Sequence, residues 1–75
     1  MSSRPRFSVG DAVSFKPSRH ALSGTVGIVD YRGRERACFK GCDWSYDIWV
    51  ERAPHSGEPC LYKHIPECDV EARYS

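Results

Sequence analysis

The chain has no long hydrophobic run, no segment of sustained helical periodicity and no excess of charge of one sign, and each absence removes a class of function. No stretch of its 75 residues approaches the roughly 20 apolar residues of a membrane span. The basic start Met1-Ser2-Ser3-Arg4-Pro5-Arg6 is not followed by an apolar run, so no secretory signal and no membrane partner are expected. A reducing cytoplasm is the expected compartment. Eleven Lys and Arg face ten Asp and Glu, a net charge of +1, so nothing in the total demands an anionic partner, although a local basic patch fits inside a balanced sum. Catalytic signatures are missing too. Gly24-x-x-Gly27 is too short for a phosphate loop and opens no helix, the serines lack a nucleophile elbow, and His20, His55 and His64 lie in separate segments. A chain that buries only about 60% of its unfolded surface has little room for a substrate pocket. A non-enzyme without a cofactor is expected.

What is present is a series of short apolar runs separated by Gly, Pro, Ser and Asp, the spacing of strands. Val9-Gly10-Asp11-Ala12-Val13-Ser14-Phe15 reads as a turn leading into a strand with Val13 and Phe15 on one face. Residues 22–31 (LSGTVGIVDY) form a second strand, in which Gly24 and Gly27 mark a bulge or bend. A charged loop over residues 32–43 precedes the clearest strand, residues 46–51, where Tyr46, Ile48 and Val50 share one face and Asp47, Trp49 and Glu51 the other. Residues 60–65 form a fourth strand, Pro66-Glu67-Cys68 a short 3₁₀ turn, and residues 70–73 a last short strand. Five antiparallel strands in one domain over residues 7–73, behind a flexible arm of residues 1–6, predict an all-β fold closed as a small barrel. The expected core is Phe7, Val9, Val13, Phe15, Leu22, Val26, Ile28, Ile48, Val50, Leu61, Ile65 and Val70.

Two phrases carry a resemblance. Phe7-x-Val9-Gly10-Asp11-x-Val13 is similar to the opening of many SH3-like barrels, and Ile65-Pro66-Glu67-Cys68-Asp69-Val70 resembles their end, where a strand gives way to a 3₁₀ turn and a short final strand. Together they bracket residues 7–70 and imply a five-stranded SH3-like barrel. Leu61-Tyr62-Lys63-His64-Ile65-Pro66-Glu67 looks like a phrase of small uncharacterised bacterial and phage proteins, which implies a mobile-element setting. The order Gly10-Asp11-x-Val13, Gly24-Thr25-Val26-Gly27, then a strand from Tyr46, also resembles type II dihydrofolate reductase, a tetrameric SH3-like barrel. That family's pore needs Val-Gln-Ile-Tyr before the final Pro; here the stretch is Tyr62-Lys63-His64-Ile65, so the catalytic phrase is absent. A shared fold does not transfer function.

Three constellations remain. Cys38-x₃-Cys42 and Cys60-x₃-His64-x₃-Cys68 have spacings within the range of tetrahedral zinc ligands. Cys60 and His64 on one strand stand roughly 13 Å apart, too far to share an ion unless the strand bends. The other reading of Cys38, Cys42, Cys60 and Cys68 is thiols packed as small hydrophobes. Second, Arg32, Arg34, Arg36 and Lys40, with aromatics behind them, are ingredients of a single-strand nucleic-acid surface; the alternative is a solvated loop balanced by Glu35, Asp43 and Asp47. Third, Trp49 lies opposite the expected core face, and an exposed Trp suits an interaction surface. Trp44, Tyr46 and Tyr62 extend it, unless the loop or a second copy of the chain covers it. The leading expectation is a binding module that docks a protein partner through this aromatic patch, with nucleic-acid binding as the alternative and a reductase-like oligomer as a second.

Overall fold

Every segment expected to be extended forms a strand. The computed structural model describes residues 4–17, 20–35 and 37–73. Its strands are β1 (Ala12–Phe15), β2 (Leu22–Tyr31), β3 (Trp44–Val50), β4 (Cys60–Pro66) and β5 (Val70–Ala72), with 3₁₀ turns at Gly33–Glu35 and Glu67–Asp69. All pairings are antiparallel, in one sheet of order β4-β3-β2-β1-β5. The chain enters β1 through a side-chain-braced turn. The Ser8 N–H donates to Asp11 Oδ2 (2.8 Å), the Asp11 N–H donates back to the Ser8 carbonyl (3.0 Å), and Gly10 takes φ +96°, which a side chain would resist. At the last residue of the expected arm, the Arg6 N–H donates to Glu67 Oε2 (3.0 Å); residues 1–3 of that arm lie outside the described residues.

Among the described residues the sheet is open, with no ladder between its edge strands β4 and β5. It is nevertheless strongly curled. Laid flat, edge strands four spacings apart would stand ~19 Å from each other. Only the three-residue turn Glu67–Asp69 joins the end of β4 to the start of β5, and it advances ~2 Å per residue. The ten-residue β2 makes the corner: its first part, Leu22 to Thr25, pairs with β1, and the stretch from Thr25 to Tyr31 pairs with β3. At the fold Gly24 lies against β3 so closely that a Cβ there would stand 2.5 Å from the Trp49 carbonyl oxygen and 2.6 Å from Ile48 Cγ2.

Two bulges face one residue. On β2, Val26 pairs with Ile48 and Ile28 with Asp47, leaving Gly27 unpaired; on β4, Tyr62 pairs with Ile48 and Ile65 with Tyr46, so Lys63 and His64 together oppose Asp47. His64 takes φ +59° at that bulge. Each bulge reverses the in–out phase of its strand. The core comprises Phe7, Val13, Phe15, Val26, Tyr46, Ile48, Val50 and Val70, with Leu22, Val29, Trp44, Tyr62 and Ile65 packed against it. Past Gly27 it is therefore Val29, not Ile28, that turns inward. Ile28, expected in the core, is 47% exposed. Before the β4 bulge Leu61 pairs with Trp49 on the outer face, while Tyr62 joins the core and meets Phe15 edge-on at 5.4 Å. Val9, also expected inside, sits in the Gly10 turn and is 65% exposed.

Candidate functional site

β3 keeps its alternation unbroken, and its outer face carries Ser45, Asp47 and Trp49. The three meet different surroundings. Ser45 and Asp47 are buried although they point away from the core. Asp47 Oδ1 accepts the His64 N–H (3.0 Å) across the β4 bulge. Ser45 Oγ accepts from Arg32 Nε (3.2 Å), and the same guanidinium donates to Asp30 Oδ2 (3.2 Å) and Glu35 Oε2 (3.0 Å) and meets His64 Nδ1 at 2.7 Å. The Phe39 ring lies over it, 5.1 Å from Cζ to the ring centre. The loop thus returns over the Ser45 end of the sheet and anchors there through Arg32, whose N–H also donates to the Asp43 carbonyl.

The Trp49 end is more exposed. Trp49 is 45% exposed and Ile28 47%. Leu61, half-buried, pairs with Trp49 and reaches toward β2, where a Cβ on Gly27 would stand 4.0 Å from its Cδ1. These three apolar side chains cross β2, β3 and β4 on one face. Beside them is a cavity of about 380 Å³ lined by Trp49, Thr25, Ala12, Glu51, Arg52 and Arg73 among others. Two guanidinium groups and one carboxylate give its rim a net positive charge. A second cavity of about 380 Å³ is lined by Tyr31, Arg32, Arg34 and Glu35. Its guanidinium Arg32 is already held by two carboxylates, and its aromatic Tyr31 stacks edge-on against Trp44 at 5.1 Å.

The aromatic residues expected to form one patch are divided between two faces. Tyr46 is fully buried and cannot present itself to a partner; it is a core residue whose hydroxyl donates to Glu67 Oε2 (2.5 Å) and accepts the Phe7 N–H (3.3 Å). Burial and the bond to Glu67 push its pKa well above the ordinary tyrosine value. Trp44 and Tyr62 lean on the core from the inner face. Trp49 alone of the four points outward, five residues from Trp44, or ~16 Å along the strand. What sequence reasoning missed is the company Trp49 keeps. Ile28 and Leu61 had been assigned inward by simple alternation, and Arg52 and Arg73 lie in segments that carried no motif.

The basic set is also divided. Arg32 is the hub described above, and Lys40 Nζ donates to both carboxylate oxygens of Asp69 (3.0 Å each). That bond and the Asp69 charge raise the Lys40 pKa. Arg34 is exposed, and Arg36 lies outside the described residues. Of the cysteines, Cys60 sits opposite Val50 at the far end of β4, while the Cys68 N–H donates to Cys42 Sγ (3.0 Å). Among the described residues no group of three or more His, Cys, Asp or Glu side chains is placed to hold a metal ion. No helix among them is long and apolar enough to cross a membrane. Compared with protein-family models, curated proteins and solved structures, the chain matches none.

Proposed function

We propose that the chain is a non-catalytic SH3-like binding module that docks an extended, acidic protein segment on the Trp49 face. The strand order β4-β3-β2-β1-β5, the Gly10-Asp11 turn into β1 and the 3₁₀ turn before β5 support the SH3-like reading. The observation that carries the docking site is exposed Trp49 and Ile28, with half-buried Leu61 on the same face, beside a cavity lined by Arg52 and Arg73. Such an arrangement supplies an aromatic anchor, apolar area around it and charge to fix orientation, the composition of an interface hot spot. A protein segment is favoured over nucleic acid because the basic residues of the loop, Arg32 and Lys40, already spend their charge on carboxylates of the same chain.

The test is selection from a displayed library of random ten-residue peptides, followed by titration of the enriched sequences against wild type, Trp49→Ala and the Arg52→Glu/Arg73→Glu pair. Enrichment of segments joining Asp or Glu to apolar residues is expected, with Trp49→Ala costing 2 kcal/mol or more, roughly 30-fold in affinity. The charge-reversed pair should lose most of the salt-sensitive part of binding. No enrichment, or peptides that bind Trp49→Ala as well as wild type, would sink the proposal. In parallel, amide NMR titration with short oligonucleotides at two salt concentrations decides the other reading. Salt-sensitive shifts confined to residues 32–49 would give nucleic acid first place.

A further inference from the structure

The four cysteines have no part in the docking site, yet the fold brings two of them together across 26 residues of sequence. Cys42 ends the turn of residues 37–42, and Cys68 sits in the 3₁₀ turn Glu67–Asp69 that joins β4 to β5. The turn reverses sharply through two consecutive left-handed residues, Lys40 (φ +56°) and Gly41 (φ +80°). Lys40 then grips both Asp69 oxygens at 3.0 Å, one residue from Cys68. The Cys68 N–H donates to Cys42 Sγ at 3.0 Å. Two independent links, Lys40 to Asp69 and the Cys68 N–H to Cys42 Sγ, therefore hold the two cysteines side by side in the reduced protein. Neither is sealed in the core: Cys68 is exposed and Cys42 half-buried.

We propose that Cys42 and Cys68 are an oxidation site that closes to an intramolecular disulfide by exchange with a low-molecular-weight disulfide such as oxidised glutathione, latching the 37–42 turn onto the β4–β5 junction. The exchange balances in two steps. The Cys42 thiolate attacks one sulfur of the small disulfide, forming a mixed disulfide and expelling one small thiolate. The Cys68 sulfur, giving its proton to solvent, then attacks Cys42 Sγ and expels the second. The protein loses two protons and two electrons, and the small disulfide takes them up and leaves as two thiols. The order follows from the surroundings: loss of hydration and the hydrogen bond with Cys42 push the Cys68 thiol up to about 11, so Cys68 is the poorer first nucleophile. Cys60, at the opposite end of β4, is too far to compete.

The test equilibrates the purified chain in glutathione buffers of graded ratio, natively and in concentrated guanidinium, traps free thiols by alkylation and maps the linkages by mass spectrometry. Natively, a Cys42–Cys68 linkage should dominate, with Cys38 and Cys60 alkylated. The ratio of linked to reduced protein should be at least ~10-fold higher than in denaturant at the same buffer, because the fold supplies the effective concentration that a flexible chain lacks. The Cys38→Ser/Cys60→Ser double variant should behave as wild type, and Cys42→Ser should form no intramolecular linkage to Cys68. A native pair no easier to oxidise than the denatured one would overturn the proposal, as would a dominant linkage through Cys38 or between chains. Peptide binding is not read in this experiment, so its outcome is independent of the docking site.

Discussion

Tyr46→Phe removes one oxygen from the centre of the molecule, and its cost can be worked from that oxygen's surroundings. The Tyr46 ring is fully buried and meets Phe7 edge-on at 5.6 Å, contacts that Phe keeps. What disappears is a charge-assisted bond to Glu67 Oε2 and the acceptor of the Phe7 N–H. Bonds to charged groups contribute ~1.5–3 kcal/mol net, and a stranded N–H costs up to a similar amount. Against this, Glu67 keeps the Arg6 N–H and is half-buried, so water repairs part of the loss. The expected cost is ~2 kcal/mol, a large part of the ~4–11 kcal/mol available to a 75-residue domain. Urea denaturation should show a lower midpoint at unchanged slope. A double-mutant cycle with Glu67→Gln should give a coupling of ~1 kcal/mol or more. The pH dependence supplies a second readout. The raised pKa means that the folded state keeps the Tyr46 proton over a range in which the unfolded chain, with a tyrosine pKa of ~10, has lost it. Stability from this group is therefore complete below pH ~10 and falls above it, by up to ~1.4 kcal/mol per pH unit. Tyr46→Phe should flatten that fall. A cost below ~0.5 kcal/mol, or parallel alkaline slopes for the two proteins, would refute the reasoning.

Two other substitutions probe the sheet and its cover. Gly24→Ala places a Cβ against the Trp49 backbone and Ile48, with no flexible tip to yield, and should cost ~2–3 kcal/mol. A melting temperature lowered by less than ~5 °C would contradict this. Arg32→Met removes the guanidinium that satisfies buried Ser45 and ties Asp30, Glu35 and His64 together, and should cost ~1–2 kcal/mol, whereas Arg34→Ala should stay within ~0.5 kcal/mol. Equal effects of the two in chemical denaturation would mean that Arg32 is no more than a surface charge.

The strands were legible because turn residues punctuate short β-branched runs; the bounds of β2 match, while β3 begins at Trp44, two residues before the expected Tyr46. The glycines of β2 were legible as well: Gly27 is the bulge and Gly24 the point of close approach. What could not be read is where the alternation reverses. Counting by twos along β4 puts Leu61, Lys63 and Ile65 on one face. The Lys63–His64 bulge instead aligns Tyr62 with Ile65, and nothing local in Lys-His announces a left-handed residue at His64. The same slip at Gly27 exchanges Ile28 for Val29. The misplacing of Ile28, Leu61 and Tyr62 therefore has one cause, whereas Val9 sits in the Gly10 turn and Trp44 and Tyr46 face the core by the unbroken alternation of β3. A side chain wrongly placed inside is an apolar group missing from the surface inventory, which is why Ile28 and Leu61 were absent from the site that Trp49 announced. The loop was opaque for another reason. Its charges are satisfied by Asp30, Ser45, His64 and Asp69, partners that sequence distance conceals.

The paired bulges also explain why the outer face has two characters. Asp47 is opposed on both sides by strands with an extra residue, so the sheet bends at its position, and the carboxylate is enclosed by the His64 backbone instead of solvent. On one side of that bend the outer face needs a cover, because Ser45 is polar and buried, and Arg32 brings the loop down to provide it. On the other side Trp49 stays exposed, and Arg52 and Arg73 line a cavity next to it. Folding alone gives little reason to leave so much of a Trp in water: at 45% exposure it spreads a large apolar surface where a threonine or lysine would suit the strand. Covering Trp49, Ile28 and Leu61 would add apolar burial at ~25 cal/mol per Å² that the isolated chain forgoes. A partner segment can supply that burial without disturbing the sheet, and this is the physical basis for proposing recognition on the Trp49 face and not on the charged loop.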